Sequence, residues 1–441
     1  MREIIDDIFD IEGSVLITGV LVGGKQVDIA ISEAGTIVGI DEKNGARDAV
    51  EAEIVVDGSE SIAIPGLVNT HTHAAMTLLR GYADDMPLQD WLTQKIWPLE
   101  AHLTGDDVYW GTKLACLEMI RSGTTAFNDM YFFMDRAAEA TDEMGIRGTF
   151  AHGFIDLSME EKREAEIKAT ETLVSHIKGL GNPRLTAAVG PHAVYTVSPD
   201  GLSWCAGYAK EQDIGIHIHV SETEKEVVDC VAQYGKRPPA LLDECGCLTP
   251  RTVAAHCCWL DEADCRLFAE RGAHASHNPA SNMKLAVGRA MPYHHLKDAG
   301  ANVCLGTDGC ASNNNLDMLE EMKIAALLQK FSWNTQTLLP AGEAIGIATA
   351  GGARALGIGP GTLTVGAPAD IVLIDRRKAC TTPLHNTDSN LAYACNGSAV
   401  HTVLCSGRFV MYDRVVPGEA AILKGAAQAA AALVQRAEEA E

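Results

Sequence analysis

The sequence predicts an α/β protein: a (β/α)8 barrel of the TIM type, with a small β-sandwich-like domain built from both chain ends. Three observations predict it. Short apolar runs alternate with helical patterns through the middle of the chain, over a span in the range of about 250 residues or more that such barrels occupy. Period-two strand patterns crowd residues 1–65, and the same texture returns after residue 366. Polar residues suited to metal chemistry stand at the ends of predicted strands, where a barrel keeps its reactive groups.

The elements follow in order. Residues 14–18, 27–32 and 36–40 are apolar or alternating and bounded by Gly, Asp or Glu. Val27, Ile29 and Ile31 point one way while Asp28 and Ala30 point the other, as in a half-buried strand. Residues 1–65 are therefore assigned to the small domain and 66–366 to the barrel. Within the barrel, 105–121 reads as a helix: Thr104 caps it, Asp107 holds the capping-box position and Gly123 ends it. The runs 148–154, 185–189, 215–220, 252–257 and 301–305 read as buried parallel strands. The glycine-rich stretch 357–366 reads as a turn back into the small domain, which resumes over 367–423. There, 369–374 is a strand and 401–411 a hairpin turning at Ser406-Gly407. The alanine-rich 424–441 predicts a terminal helix.

Composition limits the function. The 441-residue chain carries 35 basic and 59 acidic side chains, a net charge of −24. That field repels phosphate backbones and anionic membranes, so nucleic acid and membrane are not expected partners. Apolar residues make up 47%, enough for a large core, yet no apolar run reaches the roughly 18 residues of a membrane span. The start, MREIIDDIFDIEG, is acidic and has no basic, then apolar, leader pattern, so no signal peptide is expected. The 13 cysteines are odd in number and lack framework spacing, which suits a reduced, cytoplasmic protein. Cys257-Cys258 and Cys245/Cys247 read as buried or incidental thiols. There is no C-x-x-C, Walker A loop, G-x-G-x-x-G or H-E-x-x-H.

Four motifs carry the chemistry. In IPGLVNTHTH (64–73), His71 and His73 close a short strand at spacing two, so both imidazoles face one side. In IHIHVSE (216–222), His217 and His219 alternate in an otherwise apolar strand and Glu222 follows its end; a histidine there needs a polar partner or a metal. His256 ends the apolar run TVAAHC, and Asp308 sits at the tip of VCLGTDG. Each motif alone has a plainer reading: polar loop residues, satisfied core histidines, a turn aspartate. Together, His71, His73, His219 and Asp308 offer three nitrogens and one oxygen, a set for one divalent ion per subunit, Zn²⁺ first and Fe²⁺ as the alternative. A catalytic metal keeps one position for water. Glu222 and His256 are then left as proton-handling groups.

This constellation resembles the amidohydrolase superfamily: PGLVNTHTH, IHIHVSE, AAHC and GTDG occur in the expected order, and the flanking GAPADIVLID and VLCSGRFV resemble its accompanying β domain. The chain is most similar to the adenosine-type deaminases acting on S-adenosylhomocysteine, 5′-methylthioadenosine and 5′-deoxyadenosine. The stretches 71–92, IWPLE (96–100), GPHAVYTVS (190–198) and 306–322 carry that closer likeness. The resemblance implies His71, His73, His219 and Asp308 as metal ligands. It implies Glu222 as the carboxyl that moves protons onto the purine ring and the leaving ammonia, and His256 as the histidine that orients the attacking hydroxide. It implies Glu100 as the carboxylate holding the ribose hydroxyls and His192 as the histidine meeting the purine edge. Asp308 accepts the proton of the water. HNPASN (277–282) also recurs in the family, without an assigned role.

One departure bears on the substrate. Members that take S-adenosylhomocysteine are expected to present arginines near its carboxylate. Here the strand after Arg147 reads GTFAHGFID, with His152 at the place expected for an arginine, and Arg147 itself suits a structural place. That favours a compact 5′ group. The expected reaction is hydrolytic deamination of the adenine 6-amino group of a 5′-modified adenosine, by a homo-oligomer. The alternative is a deaminase or chlorohydrolase of a free amino-heterocycle, of guanine or triazine type, for which Glu100 has no ribose to hold. A non-catalytic scaffold or a metal store leaves Glu222 and His256 unexplained.

Overall fold

Alternating and buried apolar runs resolve into two sheets in a computed structural model that describes residues 8–9, 13–42, 45–86 and 88–440. Most of the acidic start read for a leader, and Pro87 of the 71–92 stretch, lie outside the described residues.

The N-terminal strands are β1 (Val15–Val22), β2 (Lys25–Ile31), β3 (Ile37–Asp41), β4 (Ile54–Asp57) and β5 (Ser61–Pro65). The barrel strands follow: β6 (Leu67–Thr72), β7 (Thr124–Tyr131), β8 (Arg147–Phe154), β9 (Leu185–Pro191), β10 (Gly215–Val220), β11 (Thr252–His256), β12 (His274–His277) and β13 (Asn302–Leu305). The small domain resumes with β14 (Ile371–Asp375), β15 (Val400–Cys405) and β16 (Arg408–Met411).

The eight strands β6 to β13 pair in chain order, each parallel to the next. Among the described residues no ladder joins β13 to β6, and the seam is closed by other bonds. Thr70 Oγ1 donates to Leu305 O at 2.9 Å, Thr307 N to Asn69 Oδ1 at 3.0 Å and Asp308 N to His71 O at 2.9 Å. Gly306 makes this approach possible, because a Cβ there would stand 2.9 Å from His71 N and 2.6 Å from Asn278 Oδ1.

The helix at Gly105–Ser122 forms as its sequence dictates. Thr104 Oγ1 accepts from Asp107 N, Asp107 accepts from Thr104 N, and Gly123 ends the helix at φ 92°. Two barrel strands have no apolar signature. β7 reads TTAFNDMY and β12 reads HASH, yet every residue of both is buried. Their polar side chains face neighbours inside the ring: Asn128 Nδ2 donates to Thr70 O at 3.0 Å, and the Ser276 and Thr70 hydroxyls meet at 2.7 Å. Buried polarity that is hydrogen-bonded costs little, so an apolar pattern is not required there.

The small domain is one eight-stranded sheet, β16-β15-β14-β5-β1-β2-β3, with β4 also on β1. β14 pairs antiparallel with β5 from Ile371↔Pro65 to Asp375↔Ser61, which unites the chain ends. Ile17, Ile29, Val56, Ile371, Leu404 and Phe409, from both chain ends, share one apolar core. The 367–423 region also holds a helix, Thr387–Tyr393, and the terminal helix runs Glu419–Ala440, starting ahead of the expected Lys424. It packs on Gly105–Ser122, where Arg436 pairs with Asp107. Among the described residues no helix is long and apolar enough to cross a membrane. All 13 cysteines are free thiols.

Candidate metal centre and catalytic cavity

The strand ends bring the distant motifs together. His71 sits at the end of β6 with His73 just beyond it, His219 lies in β10, and Asp308 follows β13. His73 Nε2 is 3.3 Å from His219 Nε2, and His71 Nε2 and His73 Nε2 each lie 3.4 Å from Asp308 Oδ1. These spacings match the edge of a tetrahedron whose bonds to the centre are about 2.0–2.1 Å.

Each imidazole is aimed by its other nitrogen. His71 Nδ1 meets His217 Nε2 at 2.7 Å, His73 Nδ1 donates to Met130 O at 2.6 Å and His219 Nδ1 donates to His192 O at 2.8 Å. Such bonds fix the tautomer with Nε2 as a lone-pair donor. His71 Nε2 is buried and has no hydrogen-bond partner, the mark of a group that expects a ligand. The donor set therefore fits one divalent ion.

Asp308 is held twice: Gly309 N donates to Oδ1 at 2.8 Å and Ser281 Oγ to Oδ2 at 2.6 Å. Burial pushes its carboxyl up, but the histidines packed around it, His71 first and then His256 and His73, reverse this and hold it well below the carboxylate range. His256 Nδ1 accepts from Asn282 Nδ2 at 2.8 Å, which puts its proton on Nε2. Burial keeps this ring neutral, with its pKa lowered to about 4.

Glu222 stands 3.9 Å from His256 Nδ1 and points into the same space. Burial first, and then the Asp308 charge, raise its pKa to about 8, so it carries a proton at neutral pH. Its backbone is set by Glu226, which accepts from Ser221 N at 2.7 Å and Glu222 N at 2.8 Å. Ser221, His256 and Asp308 all have left-handed backbones, with φ of 50°, 71° and 64°. Such residues cost about 1–3 kcal/mol each and cluster where geometry serves chemistry.

Above these groups opens a cavity of about 390 Å³. Glu100, from the short helix Trp97–Glu100, lines it and accepts from the Tyr131 hydroxyl at 2.6 Å. Burial raises the Glu100 carboxyl, and the Tyr131 bond opposes that. His192 also lines it, its Nδ1 2.8 Å from Thr196 Oγ1, and burial lowers its pKa to about 3.

A profile of the amidohydrolase family matches residues 62–410. The chain belongs to the amidohydrolase family. It is 66% identical, over 98% of either chain, to a 5′-deoxyadenosine deaminase of Methanoregula boonei. It is 50% identical to 5-methylthioadenosine/S-adenosylhomocysteine deaminase 1 of Archaeoglobus fulgidus, over 85% of this chain and 88% of that one. The crystal structure of an adenosine deaminase from Xanthomonas campestris with bound zinc superposes with a TM-score of 0.90, at 38% identity, covering 96% of this chain and 99% of the other.

In this amidohydrolase all eight residues singled out from the sequence border one compact site. Arg147 and His152 do not line its cavity. Arg147 opens β8 at the opposite end of the barrel and pairs with Asp370 (Nε to Oδ2, 2.8 Å), while His152 pairs with Glu166 at 2.6 Å. The sequence reading assigned no role to His217, Asn282, Ser281, Thr196, Tyr131 or Glu226, which hold the reactive groups in place. HNPASN carried a signal for two of them, since it adjoins a barrel strand and ends in a short helix, Pro279–Lys284.

Proposed function

We propose that this amidohydrolase removes the 6-amino group of a 5′-modified adenosine by hydrolysis, yielding ammonia and the inosine analogue. One observation carries the reading. A single cavity has proton-handling groups, Glu222, His256 and Asp308, at its buried base and a carboxylate, Glu100, fixed by Tyr131 in its wall. The base suits an amino-heterocycle, and Glu100 suits the paired hydroxyls of a ribose. The deaminase names of the relatives support the same class, with 5′-deoxyadenosine, 5′-methylthioadenosine, S-adenosylhomocysteine and adenosine as the candidates.

His71, His73, His219 and Asp308 are the proposed metal ligands, and Zn²⁺ the proposed ion for this three-nitrogen, one-oxygen set. A bound ion supplies a water whose pKa falls to about 7. The residues do the rest. Asp308 would accept a proton from a water held at this position. Glu222, protonated at neutral pH, donates to the purine nitrogen beside C6 and makes that carbon electrophilic. His256, its Nδ1 occupied by Asn282, presents Nε2–H to the oxygen that attacks C6. His192, held by the contact of its Nδ1 with the Thr196 hydroxyl, meets the edge of the purine ring. Glu222, now a carboxylate, takes the proton of the hydroxyl on C6 and passes it to the amino group, which leaves as ammonia as the C6 carbonyl forms, and the proton held by Asp308 restores Glu222.

An ammonia-release screen tests this. 5′-Deoxyadenosine, 5′-methylthioadenosine, S-adenosylhomocysteine and adenosine are compared with adenine and guanine, with metal analysis of the same sample. Nucleosides should turn over in preference to free bases, and Glu100→Ala should erase that preference. Faster release from guanine or adenine refutes the nucleoside reading.

A further inference from the structure

We propose that Glu321 is a positioning residue: it clamps the loop that carries Asp308 to the short helix that holds His256, and so sets how those two groups face each other. This inference rests on the function proposed above.

Glu321 lies in the helix Met318–Ser332, which follows the Asp308 loop, and it is 1% exposed. It does not line the cavity. Its two oxygens take hold of two different segments. Oε1 accepts from Asn313 Nδ2 at 2.5 Å, and Oε2 accepts from Ala280 N at 3.3 Å. The other amide hydrogen of Asn313 goes to Thr307 O at 2.8 Å, one residue before Asp308. Ala280 stands in the first turn of the helix Pro279–Lys284. Asn278, just before that helix, makes no side-chain cap, so Glu321 supplies an acceptor from another helix. The next two residues of the turn reach the reactive groups. Ser281 Oγ donates to Asp308 Oδ2 at 2.6 Å, and Asn282 Nδ2 donates to His256 Nδ1 at 2.8 Å.

The bonds close a ring through Asn313, Thr307, Asp308, Ser281 and Ala280 back to Glu321, with Asn282 as its arm to His256. Asp308 and His256 both have left-handed backbones, which persist only where their surroundings hold them. Packing does not account for an acid at this place. Among the described residues no lysine or arginine pairs with Glu321, and a buried acid without a cation is less favourable than an apolar side chain of its size. Two acceptor oxygens on one rigid group do what an apolar side chain cannot: they fix two segments at one separation.

Glu321→Gln tests the clamp. The amide keeps the volume but has one acceptor oxygen, so it turns an N–H toward the donor of Asn313 or of Ala280 and opens the ring. In the metal-loaded enzyme with 5′-deoxyadenosine, kcat per bound ion should fall about tenfold while KM stays within about twofold, because Glu100 and His192 lie outside the ring. Ser281→Ala cuts the same ring. The double variant should therefore lose less than the product of the two single losses, by about threefold or more. Asn313→Ala, at a half-buried position, opens the ring from its other side and should show the same split between kcat and KM. It gives the reading if Glu321→Gln does not fold. A lowered melting temperature with kcat per bound ion unchanged, single losses that simply multiply, or a loss carried by KM overturns the clamp and leaves the deaminase reading intact. A wild type that releases ammonia from none of the nucleosides overturns the proposed function, and this inference with it.

Discussion

At the scale of single residues the site depends on where protons sit. Glu222 is the clearest case, because burial beside Asp308 lifts its carboxyl to about 8. Glu222→Gln should leave metal content near wild type while turnover collapses by roughly 10²-fold or more, the usual worth of a positioned acid; retained turnover removes Glu222 from the proton path. Only the protonated form donates, so kcat/KM should fall as pH rises through an alkaline limb at or below about 8, a bound cation pulling the value down. Stability has a matching sign. The folded pKa is raised above the unfolded one, so the proton bound by the native state is lost as pH rises and stability falls between about 4.3 and 8. Metal-free Glu222→Gln should therefore gain stability over the metal-free wild type as pH is raised from 5 to 9, read by denaturant unfolding. The sequence pointed to the proposed site residues at this scale because their spacing is local: His71 and His73, or His219 and Glu222, lie a few positions apart. Their supports did not show. His217 meets His71, and Tyr131 meets Glu100, only because strands far apart in the chain become neighbours.

At the scale of elements, strand ends and the barrel seam place the donors. β6 and β13 meet through side-chain and loop bonds rather than a ladder, and Gly306 lets His71 and the Asp308 segment approach. Gly306→Ala puts a methyl group against His71 N and should lower both stability and metal occupancy, by about 1–3 kcal/mol in stability as overpacked cores do. Thermal melting and metal analysis check this; unchanged occupancy shows that the seam does not set the ligand geometry. The helix at Gly105–Ser122 was legible down to its caps, because capping is a contest among neighbours in sequence. β7 and β12 were not, because their polar side chains are satisfied across the barrel and leave no apolar run to read.

At the scale of the whole molecule the small sheet grips the foot of the barrel. Arg147 Nε donates to Asp370 at 2.8 Å and Arg147 Nη2 to Ser406 Oγ at 2.7 Å, joining β8 to the loops of the C-terminal strands. Arg147→Ala should cost about 3 kcal/mol, as the loss of one partner of a buried pair does, and leave the ratio of kcat/KM between S-adenosylhomocysteine and 5′-deoxyadenosine unchanged. A changed ratio with unchanged stability places Arg147 in substrate selection. Chelation should abolish turnover and lower the melting temperature, both restored by the divalent ion, because a ligand that binds only the folded chain stabilises it. The sequence by itself determined the barrel and the flanking strands and put forward the four proposed donors, since periodicity, capping and two-residue spacing are written in contiguous residues. Tertiary structure alone decided how those donors are aimed and which carboxyl keeps its proton. Burial and hydrogen bonds between residues distant in the chain set those properties, and no local pattern encodes them.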